Sequence, residues 1–133
     1  MPFVLDASIA AAWVLQDEDA PAASAALERI AVDEAVVPAL FWFEIRNILV
    51  VSERSGRITE ALTRQFLRSL VLLPISVDSG PDEERVLRLA RLHKLSVYDA
   101  AYLELAQRRS IRLASLDEEL VKAAKAEKTK VVH

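Results

Sequence analysis

Phe3-Val4-Leu5-Asp6-Ala7-Ser8-Ile9 sets three apolar residues against a carboxylate and then falls at once into helical spacing. A run so short and wholly apolar fits a strand buried on both faces, and Ile9 to Leu15 reads as the start of a helix. The alternation continues outward. A second helix is opened by Asp17-Glu18-Asp19, has Pro21 in its first turn and runs to Ile30, and Ala35-Val36-Val37 is a buried strand stopped by Pro38. A long helix from Ala39 to about Ser55 follows, and Thr59 caps another that runs to Leu72. Pro74-Ile75-Ser76-Val77 is a third strand, and Pro81 to His93 a helix with Val86, Leu87, Leu89, Ala90 and Leu92 on its apolar face. Ser96 starts the helix through Gln107, Arg112-Leu113-Ala114 is a strand, Asp117 begins the last helix, and Lys130-Val131-Val132 closes the chain as a strand.

Strands that alternate with helices pair in parallel through right-handed crossovers. The pattern predicts a three-layer α/β/α sandwich with a short-stranded, mainly parallel central sheet, folded as one domain over residues 1–133. With 53% hydrophobic residues the chain can bury a sizeable core, and 28% charged residues keep it soluble. No run is apolar and long enough for a membrane span: Val36 to Val51 is broken by Pro38, Glu44, Arg46 and Asn47. The first six residues lack the basic start of a secretory signal, and cysteine is absent, which suits the cytoplasm.

The same composition narrows the chemistry. Without cysteine there is no thiolate nucleophile or thiolate zinc site, and Gly56 and Gly80 form no phosphate-cradling repeat. His93, at a helix end, and His133, the last residue, have no partner at ligand or triad spacing. Acid, base or metal chemistry is left to carboxylates. In parallel sheets ligands gather at the carboxyl ends of the strands, and Asp6, Glu44, Asp99 and Asp117 all stand at strand ends or in first helical turns.

Each of these acids also has a plain structural role open to it. Asp6 or Ser8 can cap the first helix, Asp99 lies at capping-box spacing from Ser96, and Asp117 with Glu118 and Glu119 makes an acidic helix start. Glu44 is harder to explain as a solvated residue, since Phe43 and Ile45 flank it, and Asn47 one turn on can share its face. Gathered on one edge, the four would repel strongly without a cation. Hard oxygen donors select Mg2+ or Mn2+, and such ions serve phosphodiester hydrolysis without a histidine base.

Net charge is −3, but setting aside four of the 20 acids leaves 16 against 17 basic residues, so a nucleic-acid partner is not excluded. Arg46 is the nearest candidate for a phosphate contact, although a charged helical face is more often simply solvated. Trp13, Trp42 and Tyr102, at helical spacing, read as core residues rather than base-stacking platforms.

Four segments taken together resemble the PIN-domain family, and within it the VapC-type toxins of type II toxin-antitoxin modules. They are Val4-Leu5-Asp6-Ala7-Ser8 with Trp13 and Glu18, Phe41 to Asn47, Ser96 to Tyr102, and Ser115 to Leu120. The resemblance covers essentially the whole chain. It implies a metal-dependent endoribonuclease with Asp6, Glu44, Asp99 and Asp117 as its acidic site and Ser8, Asn47 and Ser115 as supporting polar positions. Ser115 stands where many relatives carry threonine, and the hydroxyl is kept. A homodimer, an RNA substrate and a cognate antitoxin that blocks the acidic cleft are implied too. Two alternatives stay open: a PIN-like binding module without activity, and a Mg-dependent phosphoaspartate receiver or phosphatase. Against the receiver, Lys94 to Tyr98 before Asp99 makes a poor strand.

Overall fold

The structure is a computed structural model that describes residues 1–15 and 20–133. The acidic lead Asp17-Glu18-Asp19, including the Glu18 of the family resemblance, lies outside the described residues. The elements run β1 (Phe3–Leu5), α1 (Ala7–Val14), α2 (Pro21–Ile30), β2 (Ala35–Pro38), α3 (Phe41–Arg54), α4 (Glu60–Leu70), β3 (Ile75–Asp78), α5 (Glu83–His93), α6 (Val97–Arg109), β4 (Arg112–Ala114) and α7 (Glu118–Ala126). Pro38 is the last member of β2 rather than the residue that stops it.

The four strands are parallel, in the order β3-β2-β1-β4. Successive strand residues point to opposite faces. Phe3, Val4 and Leu5 are nevertheless all fully buried, so helices cover both sides of the sheet and the fold is the expected three-layer sandwich. α6 lies across β2, β1 and β4 with α5 and α7 beside it, while α1 packs on α2 and α3. Among the described residues no helix is long and apolar enough to cross a membrane.

Strand order reverses between β1 and β4, because the chain first builds outward from β1 through β2 to β3 and returns to the opposite side. That makes the carboxyl ends of β1 and β4 the switch point where a crevice opens. The register Leu5 opposite Ala114 carries the next residues, Asp6 and Ser115, side by side across that crevice. Two groups 109 positions apart in sequence thus become neighbours.

α6 is also fixed by a buried ion cluster. Glu104 is wholly buried, and a carboxylate there needs pairing. Arg108 supplies it, donating through Nε to Glu104 at 2.7 Å and through both terminal nitrogens to Asp78 at 3.0 Å. The end of β3 is thereby tied to α6, the helix that carries Asp99 and Tyr102. The guanidinium of Arg108 holds the Asp78 carboxyl well below the usual range.

Two expectations need correction. Lys130-Val131-Val132 is not a strand but a single bridge, Leu113 with Val131. Leu113 exchanges bonds with Lys130 and Val132 at 2.9 Å, but the ladder cannot continue along β4, because Ser115 leaves the strand to reach Asp6. On α5 only Val86 and Leu89 of the apolar face are buried, whereas Leu87 and Leu92 are exposed.

Candidate acidic site

Asp6 leaves the end of β1 at the N-cap position of α1, yet its side chain caps nothing. Its Oδ2 instead accepts from Ser115 Oγ at 2.6 Å and from Ser8 Oγ at 2.7 Å. Each hydroxyl has one proton. Since Leu116 N–H donates to Ser8 Oγ and Asp117 N–H to Ser115 Oγ, both at 3.0 Å, those protons are free to point at Asp6. The expected helix-capping role of Asp6 and Ser8 is replaced by a bonded set that aims the carboxylate. Asp6 is only 4% exposed. Burial raises its pKa, the two hydroxyls oppose this, and the Asp117 charge adds to the rise.

Glu44, in the first turn of α3, accepts from the Tyr102 phenol at 2.5 Å. Its pKa is raised by burial first and, after the opposing phenol bond, by the charges of Asp6, Asp99 and Asp117. Tyr102 is fully buried, and burial with Asp6 and Glu44 nearby pushes its pKa far above the ordinary value, so it remains a donor. The reading of Tyr102 as core is right about its burial and misses its bond to Glu44. Its position three residues after Asp99, on the same helical face, is the sequence signal that points to it.

Asp99 occupies the first turn of α6, where its backbone N–H bonds the capping hydroxyl of Ser96 at 3.0 Å. Burial and then the charges of Asp117 and Asp6 raise its pKa, against the Ser96 hydroxyl. Asp117 caps α7 through Oδ1, which accepts from Leu120 N–H at 3.0 Å. Its structural role is therefore present, and its charge still acts on the other three. Mutual repulsion of this kind requires that all four carboxyls face one region.

The remaining expected positions contribute less. Asn47 is exposed and holds no side-chain hydrogen bond among the described residues. Arg46 is also exposed, its guanidinium 6.0 Å from the centre of the Trp42 ring. Trp42 packs partly buried, edge-on to Phe41, and Trp13 donates to Ala23 O at 2.9 Å, so both belong to the core margin. His93 does have a partner, Glu127 Oε2 at 2.7 Å, and Gln107 donates to the other oxygen of that carboxylate at 3.1 Å.

The donor set fits a hard dication by chemistry: four carboxylates with no nitrogen or sulfur, three of which, Asp6, Glu44 and Asp99, have pKa values raised first by burial and then by neighbouring like charge. As the side chains lie, no three His, Cys, Asp or Glu residues among those described are close enough together to hold an ion. The arrangement supplies charge and oriented oxygens, with one oxygen of Asp6 braced by two hydroxyls and one of Glu44 by the Tyr102 phenol.

A family model described as PIN domain matches residues 3–126. The chain is similar in structure to PAE2754 from Pyrobaculum aerophilum, at 23% identity and a TM-score of 0.75, over 98% of this chain and 83% of that one. It is similar to Mycobacterium tuberculosis VapC20, described as a sarcin-ricin loop cleaving toxin, at 14% identity and a TM-score of 0.64, over 91% and 94%. A toxin-antitoxin complex from Klebsiella pneumoniae matches at 22% identity and a TM-score of 0.50, over 83% and 82%. No curated protein matches the sequence. At these identities the solved structures speak for the fold, and the family model, matched over nearly the whole length, shows that the chain belongs to the PIN domain family.

Proposed function

We propose that this protein is a Mg2+- or Mn2+-dependent endoribonuclease, the toxin half of a toxin-antitoxin pair. The observation that carries the reading is the electrostatic coupling of Asp6, Glu44, Asp99 and Asp117 at the carboxyl ends of parallel strands. Carboxyls whose mutual charge adds to the raised pKa values of Asp6, Glu44 and Asp99 are unfavourable alone and favourable around a dication. The structural likeness to a toxin described as cleaving the sarcin-ricin loop supports RNA as the substrate. The likeness to a toxin-antitoxin complex supports an antitoxin partner.

Asp6 and Asp99 would hold the ion, with Glu44 sharing it and Asp117 holding a second ion or an ordered water. A dication bound there would supply Lewis acidity for the hydrolytic water and positive charge toward a leaving oxygen. Ser8 and Ser115 hold Asp6 in one orientation, and Tyr102 does the same for Glu44, so less ordering is left for the moment of binding. Arg46 is a phosphate contact in this proposal, and Asn47 a group that turns toward Glu44 when the site is loaded. Exposed Phe43, Val71, Leu72 and Tyr98 provide apolar surface for a second copy or an antitoxin. Action in the cytoplasm follows from the substrate.

Cleavage of a structured RNA by purified protein, with Mg2+, with Mn2+ and with chelator, tests the proposal. Cleavage that chelator abolishes and Asp99→Asn removes is the expected result. One observation favours a second reading, an RNA-binding module without activity: the carboxylates do not close into a three-ligand group as they stand. RNA binding without cleavage in either metal would establish it.

A further inference from the structure

A cavity of about 540 Å3 opens at the opposite end of the sheet from the acids. Its walls precede the strands: Met1 and Pro2 before β1, Ser110 and Ile111 before β4, and Arg112 as the first residue of β4. Arg29, Arg85, Arg112, Lys128 and Lys130 line it, with Glu127 as its acid. Glu127 is already engaged by His93 and Gln107. Arg112, Lys128 and Lys130 hold no carboxylate among the described residues. Arg29 stands 3.8 Å from an Asp33 that the amino terminus bonds at 2.8 Å.

Cations commonly collect at helix C-termini, where they complement the dipole. That accounts for Arg29 in the last turn of α2. It does not account for Arg85, which lies in the first turn of α5, where a positive charge is unfavourable, and which Gln107 turns through a 2.8 Å bond to Nε. Nor does it account for Arg112 and Lys130, which flank the Leu113 bridge. Lys128, at φ 61°, is the left-handed residue that ends α7, where Thr129 N–H bonds Ala124 O at 2.8 Å, so a helix terminus accounts for its place as it does for Arg29. A chain of net charge −3 has thus gathered five cations around one concave space whose volume suits a small ligand.

We propose that this cavity is a second binding site, for a small phosphorylated anion of nucleotide size. Arg112, Lys128 and Lys130 provide the unpaired charge, and Arg85, with its two terminal nitrogens left over, provides planar recognition of phosphoryl oxygens. Nothing in the proposal depends on the acidic site being catalytic.

Titration of the full chain with pyrophosphate and with ADP, followed by calorimetry in excess chelator, tests it, since no dication can then bridge the anion to the carboxylates. Binding of ADP is expected, weakened at least about tenfold in the double variant Arg112→Glu, Lys130→Glu and unchanged in Asp99→Asn. ADP should also raise the thermal midpoint of the wild type, a readout that needs no variant. The proposal fails if neither anion gives heat or a thermal shift. It fails equally if the double variant binds as the wild type does, if Asp99→Asn weakens the anion, or if only a single-stranded RNA oligomer binds through these residues.

Discussion

The two ends of the same short sheet crowd opposite charges and treat them differently. At the carboxyl ends, Asp6 is buried, gripped by two hydroxyls, and Glu44 is braced by a buried phenol. At the amino ends, Arg112, Lys128 and Lys130 are exposed and unbraced. Strands of three or four residues put only about 10–13 Å between the two edges. Buried, oriented charge is what chemistry at a fixed point needs. Exposed, flexible charge is sufficient for holding an anion, because it costs little desolvation and adapts to its ligand. In the two proposals above, the acidic end serves reaction and the basic end binding.

The largest effect should come from the acidic end. Asp99→Asn removes a proposed ligand while keeping shape, and cleavage rates should fall by at least about a hundredfold, beyond the 10- to 100-fold that outer positions cost. The same variant in chelator should have a higher thermal midpoint than wild type, since one of four repelling charges is gone. Activity that survives, or a midpoint that drops, would remove the contrast between the two edges.

Ser115 comes next. Ser115→Ala strips a buried carboxylate of one donor and leaves Asp117 N–H without its acceptor, so a loss of about 1–3 kcal/mol in chemical denaturation is expected. Cleavage should fall by roughly tenfold or more. Ser115→Thr keeps the hydroxyl and should restore most of both; a threonine variant as poor as alanine would show that packing, not the bond to Asp6, sets the position.

Much of this was legible in the chain. Short runs such as Phe3-Val4-Leu5 and Arg112-Leu113-Ala114, apolar throughout or after their first residue, gave the strands, and hydroxyl or acidic caps at Thr59, Ser96 and Asp117 marked helix starts that the structure keeps. The meeting of Asp6 with Ser115 was not legible from local pattern, because it depends on which strand pairs with β1 and in what register. Tyr102 was hidden for a different reason: a buried aromatic ring packs in the same way whether or not its hydroxyl finds a carboxylate. The single bridge at Val131 shows the opposite limit, where β propensity is present but pairing with the edge strand β4 is confined to Leu113.

Tyr102→Phe isolates the brace from the charge. The phenol lowers the pKa of Glu44, against burial and the neighbouring acids. Without it that pKa rises, and the acid limb of the pH–rate profile should move to higher pH, with a loss of about tenfold at the wild-type optimum. An unmoved limb would mean that Glu44 does not need to be ionised.

The smallest effect is on stability against pH, and the sheet's own charges set its sign. Asp6, Glu44 and Asp99 have folded pKa values above their ordinary ones, so the folded state binds more protons than the unfolded state in that interval. Stability in chelator should therefore increase as pH falls from neutral through the raised values, and level off near the ordinary carboxylate range. Asp78 has the opposite displacement, caused first by its bond from Arg108; its contribution is complete above the ordinary range and is lost as pH falls through its lowered value. The two intervals do not overlap, so the thermal midpoint in chelator should pass through a maximum at mildly acidic pH, by a few degrees. Saturating Mg2+ should flatten the rise on the neutral side, because the cation then opposes the repulsion that protons relieve. A midpoint that falls steadily from neutral to acid in chelator would mean that neither burial nor neighbouring charge holds these carboxyls above their ordinary range, and the electrostatic contrast between the two edges would be lost.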